Sequence, residues 1–151
     1  MPETHGAIDG RRAVRAAIVA HARREAPREC CGLLLGDRGR ILFALPMANV
    51  AADPIVRFRV DDRAHLEARR LVRRFVPPLG IVGVYHSHPK GEPQPSETDL
   101  AEAHYPEWVY LIAGVRGGRV AVRGFRIARR RALEVRIRWR GMEGAGSRVV
   151  L

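Results

Sequence analysis

The chain has 151 residues, 46% of them hydrophobic and 28% charged, which is the composition of a globular domain. This length excludes a (β/α)₈ barrel, which needs about 250 residues. The apolar runs fall far short of the ~20 residues that span a bilayer, and the apolar stretch 16–20 is too short for a signal-peptide core. We therefore expect a cytoplasmic protein with no membrane partner, a single domain over 1–140 and a flexible C-terminal tail over 141–151.

The charge is strongly basic and unevenly spread. Lysine and arginine number 27 against 16 acidic residues, which gives a net charge of +11. Residues 116–151 hold 11 arginines and two acids, whereas 91–107 hold five acids and no lysine or arginine. A basic surface of this kind attracts an anionic partner, either nucleic acid or an acidic protein, or is a solvated arginine-rich face. Nucleic acid is the less favoured partner, because no aromatic-interleaved binding motif accompanies the charge.

The two cysteines, Cys30 and Cys31, are adjacent in the sequence. Neighbouring cysteines rarely form a disulfide, because their Cβ atoms diverge in a strand. The absence of a disulfide framework fits a reducing compartment. We interpret both side chains as small buried hydrophobes, in preference to redox groups or metal ligands.

Hydrophobic periodicity predicts three helices. Residues 9–24 repeat apolar side chains every three or four positions, and Asp9 can cap the first turn. A second helix is predicted over 61–75, with an aspartate as its N-cap and two prolines after it. A third, short helix is predicted over 96–104, after a proline-rich loop at 89–95.

Short apolar or alternating runs predict the strands of a sheet. They lie at 32–35, 40–45, 55–60, 80–86, 108–113, 119–127 and 133–139. The first two and the last two of these runs read as hairpins. Together with the helices, they predict a single α/β domain with a mixed, mostly antiparallel sheet of six to eight strands, flanked by about three helices.

Residues with metal-binding chemistry gather where the strand at 80–86 ends. His86 and His88 are two positions apart, so in an extended strand both imidazoles lie on one face and can hold one metal ion. Asp99 adds a carboxylate, and three protein ligands with an open fourth position are typical of catalytic zinc. Ser96 lies one helical turn before Asp99 and can face the same point. Each half of this pattern also has an ordinary structural meaning. A lone His-x-His is often a chance pair on the surface, and Ser-x-x-Asp before a helix is a capping box.

The full pattern resembles a known family. His-Ser-His-Pro from His86, then Ser-x-x-Asp from Ser96, is similar to the JAMM (MPN+) motif of zinc metallopeptidases, in the small stand-alone prokaryotic form. The family also carries a glutamate just before a glycine-containing apolar strand, and Glu29 matches it. The segment 57–61 is similar to the family's middle segment. The resemblance implies the JAMM fold, which is related to that of cytidine deaminases.

The resemblance also implies a role for each matching residue. His86, His88 and Asp99 hold one Zn²⁺ ion per chain. Glu29 acts as the general base and then passes the proton to the leaving amine, and Ser96 hydrogen-bonds the developing oxyanion. Glu25 is the rival for the base, but no strand follows it directly, so we prefer Glu29.

The resemblance further implies hydrolysis of a peptide or isopeptide bond after the C-terminal Gly-Gly of a ubiquitin-like or sulfur-carrier protein. The short chain favours a small carrier as its substrate and partner, and the arginine-rich surface is suited to attract an acidic one. The alternative functions are a non-catalytic MPN-like scaffold and a basic nucleic-acid-binding module. The sequence leaves the oligomeric state open between a monomer and a homodimer.

Overall fold

The computed structural model describes residues 6–141 and the pair 148–149. These residues form three helices and ten strands, eight of which build one mixed sheet. The predicted α/β fold, with a mixed and mostly antiparallel sheet, is confirmed. Most of the predicted tail, 141–151, lies outside the described residues, although the backbone at 148–149 forms a short strand.

The helices and strands follow one another in a mixed order. The helices are α1 (Arg12–Glu25), α2 (Asp62–Val72) and α3 (Glu97–Glu102). The strands are β1 (Ile8–Arg11), β2 (Cys31–Asp37), β3 (Arg40–Met47), β4 (Phe75–Val76), β5 (Gly80–His88), β6 (Val109–Arg116), β7 (Arg119–Ala128), β8 (Arg131–Val135), β9 (Ile137–Arg140) and β10 (Arg148–Val149). No helix in the described part of the chain is long and apolar enough to cross a membrane.

The large sheet has the strand order β8-β7-β6-β5-β2-β3-β1-β9, with β5 near its centre. β5 pairs in parallel with β6 and antiparallel with β2. Its last residues therefore lie between two well-paired neighbours, which fixes their backbone. This is the strand that carries the two histidines of the motif.

The large sheet is curled, and one extended segment of the chain contains both of its edge strands. The edge strands β8 and β9 are separated in sequence by Arg136 alone, and the Arg136 carbonyl accepts a hydrogen bond from the Ile8 amide of β1. The predicted strand 133–139 is therefore split. Its first part pairs with β7 as predicted, and its second part pairs in parallel with β1 at the other edge.

Helix α1 packs on one face of the curled sheet. It buries Val14, Ile18 and Ala22, at the predicted spacing. On the same helix, Nδ1 of His21 lies 2.7 Å from the Tyr85 hydroxyl, which ties α1 to β5 beside the histidine pair. Burial is the main factor that lowers the pKa of His21, so a neutral imidazole suits this contact.

The start of α1 differs from the prediction. The helix begins at Arg12, and its N-cap residue Arg11 makes no side-chain cap. Asp9 lies in strand β1, where its carboxylate pairs with Arg138 and Arg140 of β9. The prediction of Asp9 as a cap was wrong, because these arginines come from a strand 129 positions away that local periodicity does not reveal.

The predicted strand at 55–60 is also wrong. This segment forms turns and irregular backbone, with one isolated bridge between Asn49 and Val60. The Asn49 side chain bonds the carbonyl of Arg57 and the amide of Arg59, which takes these backbone groups out of any ladder. Val56 in this segment is exposed.

The second and third helices are shorter than predicted. Asp61 caps α2 by accepting a hydrogen bond from the Ala64 amide, as expected, but the helix ends at Val72. Phe75 instead begins β4, which pairs with β10. Helix α3 starts after Ser96, as expected, and covers only six residues.

Substitution in the α1 contact with the sheet tests this packing. Ile18 has no exposed surface, so we expect Ile18→Ala to reduce the free energy of unfolding by about 2–5 kcal/mol. Leu133 is 53% exposed and serves as the matched control, with an expected change of about 0.5 kcal/mol or less for Leu133→Ala. Urea denaturation measures both values. Equal effects of the two substitutions would contradict the packing.

Candidate metal centre and its surroundings

The two histidines at the end of β5 meet at their outer ring nitrogens. Nε2 of His86 lies 3.1 Å from Nε2 of His88. The His86 side chain is fully buried and that of His88 is largely buried. Ser87 lies between them and accepts a hydrogen bond from the Cys30 amide through its hydroxyl oxygen. Strand alternation therefore places both imidazoles together, as the sequence predicts.

Asp99 comes to the same point from helix α3. Its Oδ2 lies 3.2 Å from Nε2 of His86 and 3.2 Å from Nε2 of His88. The same oxygen accepts a hydrogen bond from the Ser96 amide at 2.9 Å, and the Asp99 amide donates to Oγ of Ser96 at 3.1 Å. The capping box is therefore present, and its carboxylate faces the histidines at the same time.

Glu29 lies beside the histidine pair, just before β2. A carboxylate oxygen of Glu29 and one ring nitrogen each of His86 and His88 lie within 4.8 Å of one another. The Glu29 side chain is buried. Cys31, two positions later, pairs with His86 across β2 and β5, and this register brings Glu29 to the end of β5. Glu25, the rival acid, is not part of this group of side chains in the described residues.

The arrangement fits a divalent metal ion. Two imidazole Nε2 atoms and one carboxylate oxygen form a triangle with sides of 3.1–3.2 Å. Bonds of about 2.0–2.2 Å to zinc imply distances of roughly 3.3–3.5 Å between the ligands of a tetrahedral site. The observed spacing is close to that, and the donor set is one that zinc accepts. The sequence analysis named all three of these residues.

Burial and hydrogen bonding set the charges at this centre. Burial raises the pKa of the Glu29 carboxyl to about 7. Burial also opposes ionisation of Asp99, but its hydrogen bonds with His86 and His88 outweigh that effect and hold its pKa well below the usual range. Burial lowers the pKa of His86. The carboxylate of Asp99 is therefore charged at neutral pH, beside a buried imidazole that favours its neutral form.

A backbone carbonyl orients the His88 ring. Nδ1 of His88 lies 2.8 Å from the carbonyl oxygen of Glu92, in the proline-rich loop. That loop packs tightly on β6, because a Cβ atom at Gly114 would lie 2.4 Å from the backbone nitrogen of Pro93. Arg116, two residues further along β6, bonds the Glu92 side chain. The loop is thus held from two sides, and His88 keeps Nε2 directed at Asp99.

The His86 ring is oriented differently. Its Nδ1 has no hydrogen-bond partner within the described part of the chain. Phe58 stacks on the ring instead, with a centroid distance of 4.3 Å and an angle of 19° between the planes. Phe58 comes from the irregular segment that was predicted to be a strand. Its aromatic face fixes the plane of the imidazole where a hydrogen bond does not.

A cavity of about 780 Å³ adjoins this centre along the same face of β5. Phe58 forms part of its wall, together with Tyr105, Trp108 and Tyr110. Trp108 and Tyr110 are buried, as expected for aromatic residues of the core and sheet edge, and they also line the cavity.

The family model for prokaryotic homologues of the JAB domain matches residues 11–129 of this chain. The chain belongs to this family. The predicted resemblance to JAMM (MPN+) proteins is thereby confirmed. The match covers every residue of the candidate centre, from Glu29 to Asp99.

Three curated relatives of this JAB-family chain carry names that describe an activity. A desampylase of Haloferax volcanii is 38% identical over 109 residues, which cover 68% of this chain and 77% of that protein. A probable TtuB-protein conjugate cleaving protease of Thermus thermophilus is 38% identical over 66% of this chain and 65% of its own length. A CysO-cysteine peptidase of Mycobacterium tuberculosis is 37% identical over 74% of this chain and 76% of its own length.

Solved structures have the same fold as the JAB-family chain. A protein from Desulfitobacterium hafniense has a TM-score of 0.78 at 28% identity, covering 88% of this chain and 92% of that one. A JAB1/MPN domain protein from Archaeoglobus fulgidus has a TM-score of 0.57 at 16% identity, covering 88% and 98% of the two chains. The second similarity concerns the fold alone.

The structure brings together all five residues that the motif singled out, and it adds residues that sequence reasoning missed. The additions are Asn49, Phe58, Ser87, Glu92 and Gly114. Most of them act through backbone contacts or through packing around the centre. Two of them carried an earlier signal, since Ser87 is part of the His-Ser-His-Pro motif and Phe58 lies in the segment that is similar to the family's middle segment.

Proposed function

We propose that this JAB-family chain is a zinc-dependent peptidase or isopeptidase that cleaves after the C-terminal Gly-Gly of a small ubiquitin-like or sulfur-carrier protein. The observation that carries the proposal is the convergence of His86, His88 and Asp99, with Glu29 beside them. The free, buried cysteines are in keeping with the expected cytoplasmic location.

The names of the relatives support this class of substrate. Two of them name a carrier joined to another group, a TtuB-protein conjugate and CysO-cysteine, and the enzyme separates the two parts. A Gly-Gly tail is thin and extended, so it can reach a metal centre that lies among buried side chains. We therefore favour a small carrier over a large folded substrate.

The metal would be held by Nε2 of His86, Nε2 of His88 and a carboxylate oxygen of Asp99. When bound, zinc supplies a water of lowered pKa and polarises the carbonyl of the bond to be cleaved. Glu29 lies beside these ligands. Three protein ligands would leave a fourth position for an exchangeable ligand, which a catalytic zinc site requires.

The chain's own side chains move the proton and bind the oxygen. Glu29, with a pKa near 7, can take a proton from water and release it to the leaving amine at neutral pH. The Ser96 hydroxyl oxygen accepts from the Asp99 amide, so its proton can be donated to the carbonyl oxygen of the substrate. Glu29 lies beside His86 and His88, and Ser96 is joined by hydrogen bonds to Asp99, the third predicted ligand.

The arginine-rich surface remains suited to an acidic carrier, but part of its charge is neutralised within the chain. Arg138 and Arg140 pair with Asp9, and Arg123 pairs with Glu134. The three consecutive arginines at the turn between β7 and β8 are exposed. These three side chains carry positive charge that an acidic partner would meet.

Metal content tests the ligand set. We expect wild-type protein to bind one zinc ion per chain, and His88→Ala or Asp99→Ala to lose it, because two ligands hold zinc much more weakly than three. His104→Ala is the control, since His104 is exposed and outside the ligand set. Elemental analysis of the purified proteins gives the stoichiometry. Wild-type protein that binds DNA with a steep salt dependence, and no zinc, would favour the nucleic-acid-binding alternative.

Substitution of Glu29 tests the general base. On a carrier extended past Gly-Gly, we expect Glu29→Gln to lower kcat/KM by about 10²–10⁴-fold, because the amide cannot accept the proton. Glu25→Gln is the matched control and should retain activity. Mass spectrometry of the trimmed carrier follows the reaction, and zinc content should be unchanged in both variants. Full activity in Glu29→Gln would remove Glu29 from the base role.

Packing of the proline-rich loop should affect zinc affinity. Gly114→Ala would force Glu92 and Pro93 away from β6, and His88 would lose the carbonyl that orients it. We expect the dissociation constant for zinc to rise about 10–100-fold, as for other groups that support metal ligands. Gly80→Ala is the control, because open space surrounds a Cβ atom there. Chelator competition measures both constants, and equal values would contradict the role of the loop.

A further inference from the structure

The side chain of Asn49 connects Glu29 to the irregular segment 50–59. Asn49 lies two residues after the end of β3, and its Nδ2 donates to the carbonyl oxygen of Glu29 at 2.9 Å. The same nitrogen donates to the carbonyl oxygen of Arg57 at 2.8 Å and lies 3.5 Å from that of Pro54. Because the Glu29 amide also donates to Pro54, at 2.7 Å, the Glu29 backbone is held at both its polar atoms.

The carbonyl oxygen of the Asn49 amide is used just as fully. Its Oδ1 accepts from the Ala51 amide at 3.1 Å and from the Arg59 amide at 3.0 Å. The side chain therefore employs both its donor hydrogens and both acceptor positions on backbone groups. A residue with this set of bonds organises a loop in the way that a short strand would.

The loop that Asn49 organises carries Phe58 to the metal centre. Asn49 bonds the residues on either side of it, Arg57 and Arg59. The Phe58 ring is thereby directed onto His86, where it stacks at 4.3 Å. This ring is the contact that sets the plane of the imidazole, since Nδ1 of His86 has no partner in the described chain.

We propose that Asn49 is a positioning residue that holds the Glu29 backbone and the Phe58 ring in fixed relation to His86. The inference rests on the proposed function, in which Glu29 is the base and His86 is a zinc ligand. A base must lie within about a hydrogen-bond length of the proton that it takes, and displacement by 1 Å lowers a rate by roughly 100-fold. Because one amide side chain bonds both the Glu29 backbone and the residues beside Phe58, these two groups keep their relative position when the rest of the loop moves.

Hydrogen exchange tests this role without any substrate or metal. Asn49→Asp keeps an oxygen for Ala51 and Arg59 but removes both donors. We expect the Glu29 amide to exchange at least about 10-fold faster in this variant, while the Ile112 amide in the central strand β6 is unchanged. Equal acceleration at Glu29 and Ile112 would mean a general loss of stability and would overturn the positioning role. An unchanged exchange rate at the Glu29 amide would also overturn the positioning role.

Kinetics and zinc affinity separately test the contact of Asn49 with Glu29 and its contact with the loop that carries Phe58. We expect Asn49→Asp to lower kcat by about 100-fold with KM within about threefold, because the carrier still binds while the base is displaced. Phe58→Leu should weaken zinc binding about tenfold yet leave the Glu29 amide unaffected. Phe43→Leu is the matched control, since Phe43 packs against Phe75, away from the centre.

The outcomes separate this inference from the proposed function. If wild-type protein binds zinc but cleaves no carrier, the proposed substrate is wrong, and the exchange rates and zinc affinities still decide the role of Asn49. If wild-type protein cleaves the carrier and Asn49→Asp keeps its kcat, the positioning role is overturned and the proposed function stands.

Discussion

The site depends on one backbone pairing, the antiparallel register of β2 and β5. Cys31 lies opposite His86, so the acid that precedes β2 meets the histidines that end β5. Two hydrogen bonds extend the pairing by one more step, since the Cys30 amide donates to the Ser87 hydroxyl oxygen and the Ser87 amide donates to the Cys30 carbonyl. A shift of this register by one residue would turn both imidazoles to the opposite face of the sheet.

Asp99 reaches the two histidines because it belongs to the cap of helix α3. Ser-x-x-Asp can be read as a capping box or as part of a metal site, and the structure contains one arrangement that serves both. Oδ2 of Asp99 accepts from the Ser96 amide and lies 3.2 Å from both histidine nitrogens. The hydrogen bonds that begin α3 therefore also orient the carboxylate, and the proline-rich loop needs only to bring that helix end to β5.

The sequence was sufficient for the features that depend on short-range patterns. Period-two spacing predicted that His86 and His88 share a face, and apolar side chains every three or four residues predicted the buried face of α1. Features set by distant contacts were missed. Asp9 was assigned to a helix cap because the arginines that bind it follow more than 120 residues later, and 55–60 alternates like a strand although Asn49 holds its backbone. The stacking of Phe58 on the His86 ring depends on the folded loop, although Phe58 itself lies in the segment that is similar to the family's middle segment.

The curled sheet has a consequence for how the chain folds. Ile8 pairs with Ile137, so the first strand acquires its outer neighbour only when β9 is present. Contacts of such high sequence separation carry a large entropy of loop closure and slow folding. The central strands β2, β5 and β6 have no such requirement and can assemble earlier. During synthesis on the ribosome, the groups around Glu29 and His86 would therefore come together before β9 pairs with β1.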